Sequence, residues 1–346
     1  MGAGAELAKA GVRIRRDGWD MSVATSGMKT SGQVREMQIR NAILIAGPTA
    51  SGKSALALDI AERSGAAIVN TDSMQGYSIL NVLTARPEPD DMARAPHHLY
   101  GHVHPSTAYS TGAWVRDVGL LAESGVLENR PVIFVGGTGL YFRALAEGIS
   151  EMPEIPEAIR ERWRNELKER GSAELHELLA RKDPQVAARL KPGDGQRIAR
   201  ALEVLEASGR SILHWQARRG QPLIDRASAR FFVIETNRPD LVARIDQRFD
   251  KMIERGALEE VKALDALDLD PMLPAMKAIG VPELRAAMTG KISFQEAITR
   301  AKAATRQYAK RQATWFRHQL GAEWKRLGSS EAAETMRRVY SNLAKP

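Results

Sequence analysis

The chain has no cysteine in 346 residues. Neither a disulfide nor cysteine-ligated zinc holds it together, and a reducing compartment, the cytoplasm, is expected. No apolar run reaches the roughly 18 residues of a membrane-spanning helix. The paired Arg15 and Arg16 lead into "DGWDMSVATSG", which lacks the apolar centre of an export signal. Repeats and low-complexity tracts are absent as well. Acidic residues are outnumbered, 42 against 50 Lys and Arg for a formal charge of +8, which permits a nucleic-acid partner without demanding one.

Against these absences stands "LIAGPTASGKSALAL", residues 44–58. Gly47, Gly52, Lys53 and Ser54 fit the phosphate-loop pattern G-x-x-x-x-G-K-[S/T], between a strand-like and a helix-like stretch as the pattern requires. A chance match in a chain of this length is on the order of one in a hundred. Such a loop turns backbone N–H groups toward one anion, adds a helix dipole and a lysine, and offers a hydroxyl to Mg²⁺. A di- or triphosphate is therefore the expected ligand, although the loop leaves open which bond is broken.

A nucleotide hydrolase would place an aspartate at the end of another apolar strand. Here "PVIFV" runs into Gly136, Gly137 and Thr138, "FFVIE" ends in Glu235, and no guanine-reading motif occurs. One carboxylate is well placed: Asp72 in "NTDSMQGY", after a strand-like stretch, where open α/β sheets bind ligands. It reads as a magnesium ligand, a general base or a turn-capping residue. His97, His98, His102 and His104 form a cluster, but adjacent histidines in a strand point to opposite faces, which argues against a metal site.

Four stretches, "NAILIAG", "AAIVNTDS", "PVIFVGGTG" and "RFFVIETN", read as buried parallel strands alternating with helices. The expected fold is α/β, a P-loop-type parallel sheet core flanked by helices, with a helical insertion. Residues 41–150 and 221–330 form the core, 151–220 the charged, strand-free insertion, 1–40 a poorly ordered N-terminal tail and 331–346 a C-terminal tail. In the last helical segment Phe294, Ala297, Ile298, Ala301, Thr305, Tyr308, Trp315 and Leu320 share a stripe, with Arg300, Arg306, Lys310, Arg311 and Arg317 largely off it.

Seven blocks together resemble the tRNA dimethylallyltransferase family: "GPTASGKS" (47–54), "TDSMQGY" (71–77), "TARPEPDDMARAPHHL" (84–99), "YSTGAW" (109–114), "PVIFVGGTGLYFRAL" (131–145), "DGQRIARALEV" (194–204) and "ATRQYAKRQATWF" (304–316). The resemblance covers about residues 42–325 in the family's order. It implies transfer of a dimethylallyl group from dimethylallyl diphosphate to N6 of adenosine 37 in tRNA, with Mg²⁺ as cofactor. Asp72 and Thr49 match catalytic positions. Gly47, Thr49, Ala50, Ser51, Gly52, Lys53, Ser54 and Arg238 match diphosphate-binding positions, with Ser54 on the metal. Asp72, Ser73, Met74, Gln75, Thr138, Arg160 and the run Gln196, Arg197, Ile198, Ala199 and Arg200 match tRNA-contacting ones, Gln75 being suited to bidentate contact with an adenine edge. The implied partners are the tRNA anticodon stem-loop and dimethylallyl diphosphate, with a monomer expected.

The chain departs from the family at Leu83, commonly glycine, and at "KAIGVPEL" (277–284), where a "GYR"-like run is common. Three other readings stay open: a small-molecule kinase using ATP, prenyl transfer to free AMP, ADP or ATP, and a non-catalytic tRNA-binding protein. The long insertion and "QRIAR" favour tRNA over a free nucleotide, and an intact loop with Asp72 argues against a mere RNA grip.

Overall fold

The computed structural model describes residues 14–15, 18–19, 38–218, 220–328, 331, 332 and 334. Within the unit Met1–Met37, Ile14–Arg15 pairs antiparallel with Gly18–Trp19. The expected tails fall mostly outside the described residues, but Ile39 bridges to Ile224, so the packed chain includes residues before 41.

The unit from Gln38 onward is built on six parallel strands. These are β1 (Ile43–Ala46), β2 (Ala67–Asn70), β3 (His97–His98), β4 (Val132–Gly136), β5 (Arg230–Glu235) and β6 (Lys325–Gly328), in the order β3-β2-β4-β1-β5-β6. The four expected strands are the inner four. Each of β1, β2 and β4 is buried along its whole length, which explains why they read as unbroken apolar runs. The two strands absent from the sequence reading are the sheet edges. His97–His98 and "KRLG" pair on one side only and carry polar side chains, so neither shows an apolar signature.

Helices cover both faces. Ile43, Ile45, Ile68 and Ile133 meet α1 (Lys53–Ser64) on one side. Leu44, Val69 and Phe134 meet α3 (Thr111–Glu123), α4 (Gly139–Glu147) and the end of the last long helix on the other. A short α2 (Pro89–Arg94) precedes β3.

The insertion consists of α5 (Glu157–Lys182), kinked at Gly171, then α6 (Pro184–Ala187), α7 (Gly195–Ser208) and α8 (Ile212–Gln216). Trp163, Leu175, Leu179, Ile198 and Leu202 form its own apolar core. This corrects part of the tRNA-contact expectation. Ile198 is 0 % and Ala199 6 % exposed, because they lie on the inner face of an amphipathic helix. Only Gln196, Arg197 and Arg200 of that run reach the surface.

After β5, helices α9 (Arg238–Glu254), α10 (Ala257–Asp265), α11 (Val281–Met288) and α12 (Phe294–Gln319) pack with residues 77–85 around a further core. Helix α12 belongs to two cores: Ala297, Ile298 and Ala301 enter this one, and Phe316 enters the sheet's. Phe294, placed on the stripe by spacing, is 41 % exposed at the helix start.

Ile198→Ala should therefore act as a core truncation, lowering stability by about 2–4 kcal/mol in chemical denaturation, where a surface RNA contact would leave stability unmoved.

Candidate active site

The site lies at the carboxyl ends of the parallel strands, where β1, β2, β4 and β5 all hand over to loops. After β1 the backbone takes φ 64° at Ala50 and 88° at Gly52. Gly52 precedes α1 with no side-chain cap, and the first turn has no acidic residue, so its N–H groups are free for an anion. The Ser51 hydroxyl is buried without a partner. Gly47 lacks a side chain for a steric reason, since a Cβ there would lie 2.7 Å from Ser51 Oγ. Lys53 Nζ donates to Pro48 O at 3.2 Å, and burial pushes its pKa down to about 8, against the pull of Asp72 and with the push of Arg248.

After β2, buried Asn70 fixes the Asp72 backbone. Asn70 Oδ1 accepts from Asp72 N–H at 2.9 Å, and Nδ2 donates to Asp72 O and Leu99 O, each at 2.9 Å. The Trp114 indole, stacked on Tyr141, donates to Asn70 O at 2.9 Å. Asp72 Oδ1 accepts from Met74 N–H at 3.0 Å, which orients the carboxylate. Thr138 Oγ1 accepts from Ser73 N–H at 3.0 Å, locking the β4 turn to this segment.

Gln312 of α12, 5 % exposed, joins the two loops. Its Oε1 accepts from Thr49 N–H and its Nε2 donates to Gly137 O, both at 2.9 Å. Arg248 of α9 donates to the Thr49 hydroxyl. A cavity of about 300 Å³ opens between these elements, with Thr49, Asp72, Arg248, Tyr308 and Arg311 on its polar side. Ile245, Phe249 and Met252 form an apolar wall. Burial holds the Arg248 guanidinium below its usual value, opposed by Asp72, and pushes the Tyr308 phenol up, reinforced by Asp72. A half-buried guanidinium, a half-buried ammonium and an apolar wall near one carboxylate suit an anionic ligand with an apolar tail.

A family model described as IPP transferase matches residues 75–319, more than half the chain, and one described as isopentenyl transferase matches residues 40–99. The chain belongs to the IPP transferase family. A tRNA dimethylallyltransferase of Mesorhizobium japonicum is 70% identical over 311 residues, covering 90% of this chain and 97% of that protein. One from Chelativorans sp. is 60% identical, covering 84% and 99%. Among solved structures, the full-length tRNA isopentenylpyrophosphate transferase of Bacillus halodurans superimposes with TM-score 0.61 at 27% identity, covering 88% of this chain and 95% of that one. A eukaryotic dimethylallyltransferase acting on tRNA gives 0.73 at 25% identity, covering 86% and 77%.

Within this IPP transferase the structure gathers Thr49 and Asp72 on one cavity and sets Ser73 and Met74 beside them. Arg238 does not line this cavity. Arg238 is exposed at the first residue of α9, and the cation that reaches Thr49 is Arg248, three turns further on. Its signal was a single cation on the apolar stripe Ile245, Phe249, Met252. Gln312 was legible in the same way, as an amide between Tyr308 and Trp315 on a buried stripe. Gln75 Nε2 donates to Thr84 O at 2.9 Å and Ala85 O at 2.8 Å, so both its amide hydrogens are spent inside the protein and bidentate adenine contact is not available to it as placed. Arg160, Gln196, Arg197 and Arg200 lie on the insertion, Arg197 with its side chain 75% exposed and paired to Asp194. Three of the four histidines are engaged separately, His97 with Ala95 O, His102 with Asp117 and His104 with Ser106. Among the described residues no group of three or more His, Asp or Glu could hold a metal.

The Lys53 shift gives a pH test. The ammonium form binds an anion, so affinity for inorganic diphosphate should be full below about pH 8 and fall as pH rises through it. Calorimetry across pH 7–9.5 should show this fall in the native chain and its absence in Lys53→Met.

Proposed function

We propose that the chain transfers a dimethylallyl group from dimethylallyl diphosphate to N6 of adenosine 37, beside the anticodon of tRNA, and releases diphosphate. The observation that carries this reading is the single cavity shared by the phosphate loop's Thr49, the cation Arg248, the carboxylate Asp72 and an apolar wall. The allylic tail of the donor would lie on that wall while its diphosphate meets the cations.

In the reaction the N6–carbon bond forms as the allylic carbon–oxygen bond breaks, and the diphosphate departs with the bonding pair. Lys53, Arg248, the uncapped start of α1 and the unpartnered Ser51 hydroxyl receive the charge that develops on its oxygens. The adenine amine is a weak nucleophile because its lone pair is delocalised into the ring. Asp72 takes its proton as the bond forms, with Oδ1 anchored by Met74 N–H and the carboxylate turned to the cavity. The Thr49 hydroxyl, held by Arg248 on the same cavity as Asp72, would help orient the reacting groups. Ser54 is exposed at the second residue of α1, beside the uncapped terminus, and so fits a Mg²⁺ completed by diphosphate oxygens and water. Bound there, Mg²⁺ would neutralise part of the leaving group's charge.

The insertion supplies the exposed cations Arg160, Arg197 and Arg200 to the phosphates of the anticodon stem-loop, and the target base is reached outside the stack. We place the enzyme in the cytoplasm as a monomer; no described helix is long and apolar enough to cross a membrane.

The test is incubation with Mg²⁺, labelled dimethylallyl diphosphate and unmodified tRNA rich in anticodon-loop adenosines, followed by nucleoside analysis. N6-dimethylallyladenosine is expected. Asp72→Asn should cut turnover about 10²–10⁴-fold; ATP-dependent phosphorylation of a small molecule with no prenylated nucleoside would overturn the reading.

A further inference from the structure

Glu260 on α10 does not line the cavity, yet its carboxylate accepts three consecutive backbone N–H groups from a loop that does. Oε1 accepts from Asn81 at 3.0 Å and Val82 at 2.7 Å, and Oε2 accepts from Leu83 at 3.0 Å. An ionised carboxylate suits this place because both of its oxygens only accept, whereas the amide of a glutamine would turn an NH2 donor on at least one of those N–H groups. The loop needs holding. Ile79 and Ala85 sit at φ 46° and 53°, left-handed states that residues other than glycine keep only where their neighbours impose them. Leu83 is seated on Gly280, where a Cβ would lie 2.7 Å from Leu83 Cδ1.

The same loop is tied to the segment that carries the base. Gln75 Nε2 donates to Thr84 O at 2.9 Å and Ala85 O at 2.8 Å, and the next residue back, Met74, gives its N–H to Asp72 Oδ1 at 3.0 Å. Leu83 and Thr84 line the cavity together with Asp72, Ser73 and Met74. A continuous path of backbone and hydrogen bonds thus runs from Glu260 to the Asp72 carboxylate, and no member of it belongs to the phosphate loop or to α9. Resting on the transfer reaction proposed above, we propose that Glu260 is a positioning residue for the acceptor half of the site: it fixes loop 81–85 and, through Gln75, the orientation of Asp72 toward the acceptor nucleoside.

The experiment compares the native chain, Glu260→Gln, Gln75→Ala and the double variant. Titration with inorganic diphosphate counts the folded sites in each, so that turnover is read per binding site. Glu260→Gln should lower kcat/KM for tRNA about tenfold or more, with KM for dimethylallyl diphosphate within about twofold of native. In the Gln75→Ala background the same change should cost no more than about a further twofold, because the path is already cut. Amide exchange gives a readout independent of turnover: residues 72–76 should exchange about threefold faster or more in Glu260→Gln, and residues 47–54 at the native rate. If Glu260→Gln does not bind diphosphate, Glu260→Asp, which keeps the charge but draws it back by one carbon, is read in its place by the same criteria. Native turnover in the folded variant, a double variant whose loss is the product of the two single losses, or unchanged exchange at 72–76 overturns the proposal. A native chain that transfers no prenyl group overturns the reaction reading instead, and the exchange rates then decide whether Glu260 holds the Asp72 segment.

Discussion

Gln312 accepts from the Thr49 N–H with one end of its amide and donates to Gly137 O with the other, and the rest of the site depends on that bridge. Left unpaired in a buried setting, each of these groups would cost about 1–3 kcal/mol. Satisfied together, they tie the loop after β1, the turn after β4 and the middle of α12 into one unit. The closeness of the parts shows in the glycines. A Cβ on Gly137 would sit 2.1 Å from Gln312 Nε2, and one on Gly136 would sit 2.0 Å from Thr71 O. Those two positions read in the sequence as a missing hydrolytic aspartate; in the structure they are where three backbone segments converge.

Electrostatics follow from that convergence. Lys53 and Arg248 are both half-buried and both feel the charge of Asp72, the one carboxylate on the cavity that Arg248 lines. Burial disfavours both cations, and a single carboxylate offsets only part of that cost. A bound diphosphate would supply the missing negative charge, so ligand affinity and the strain of burying two cations are linked. The tyrosines nearby, Tyr100, Tyr141 and Tyr308, all have raised pKa values from burial with Asp72 as a further cause. They remain neutral around Asp72, the base proposed for the N6 proton.

The inner strands, the phosphate loop and Asp72 were legible because each is a local property: apolar density, glycine spacing, a carboxylate at a strand end. What escaped was set by tertiary neighbours. The edge strands β3 and β6 are polar because they pair on one side only. Arg238 matched a motif, yet helix geometry carried Arg248 to Thr49. Gln75 has the right chemistry for an adenine, but Thr84 O and Ala85 O claim its hydrogens first. Ile198 and Ala199 fell inside a run whose charged members face out, and only the helical period separates the two kinds. The Leu83–Gly280 contact joins residues nearly two hundred positions apart, beyond the reach of any pattern in the chain.

The central claim is that the phosphate loop holds a departing diphosphate rather than a phosphoryl group in transfer. Dimethylallyl diphosphate carrying ¹⁸O in the bridging carbon–oxygen–phosphorus position tests it directly. Cleavage of the carbon–oxygen bond places all of the ¹⁸O in released diphosphate, in a one-to-one ratio with prenylated adenosine. Recovery of the label in dimethylallyl alcohol with unlabelled diphosphate or a diphosphorylated acceptor, or in dimethylallyl monophosphate with orthophosphate or a phosphorylated acceptor, would contradict the account.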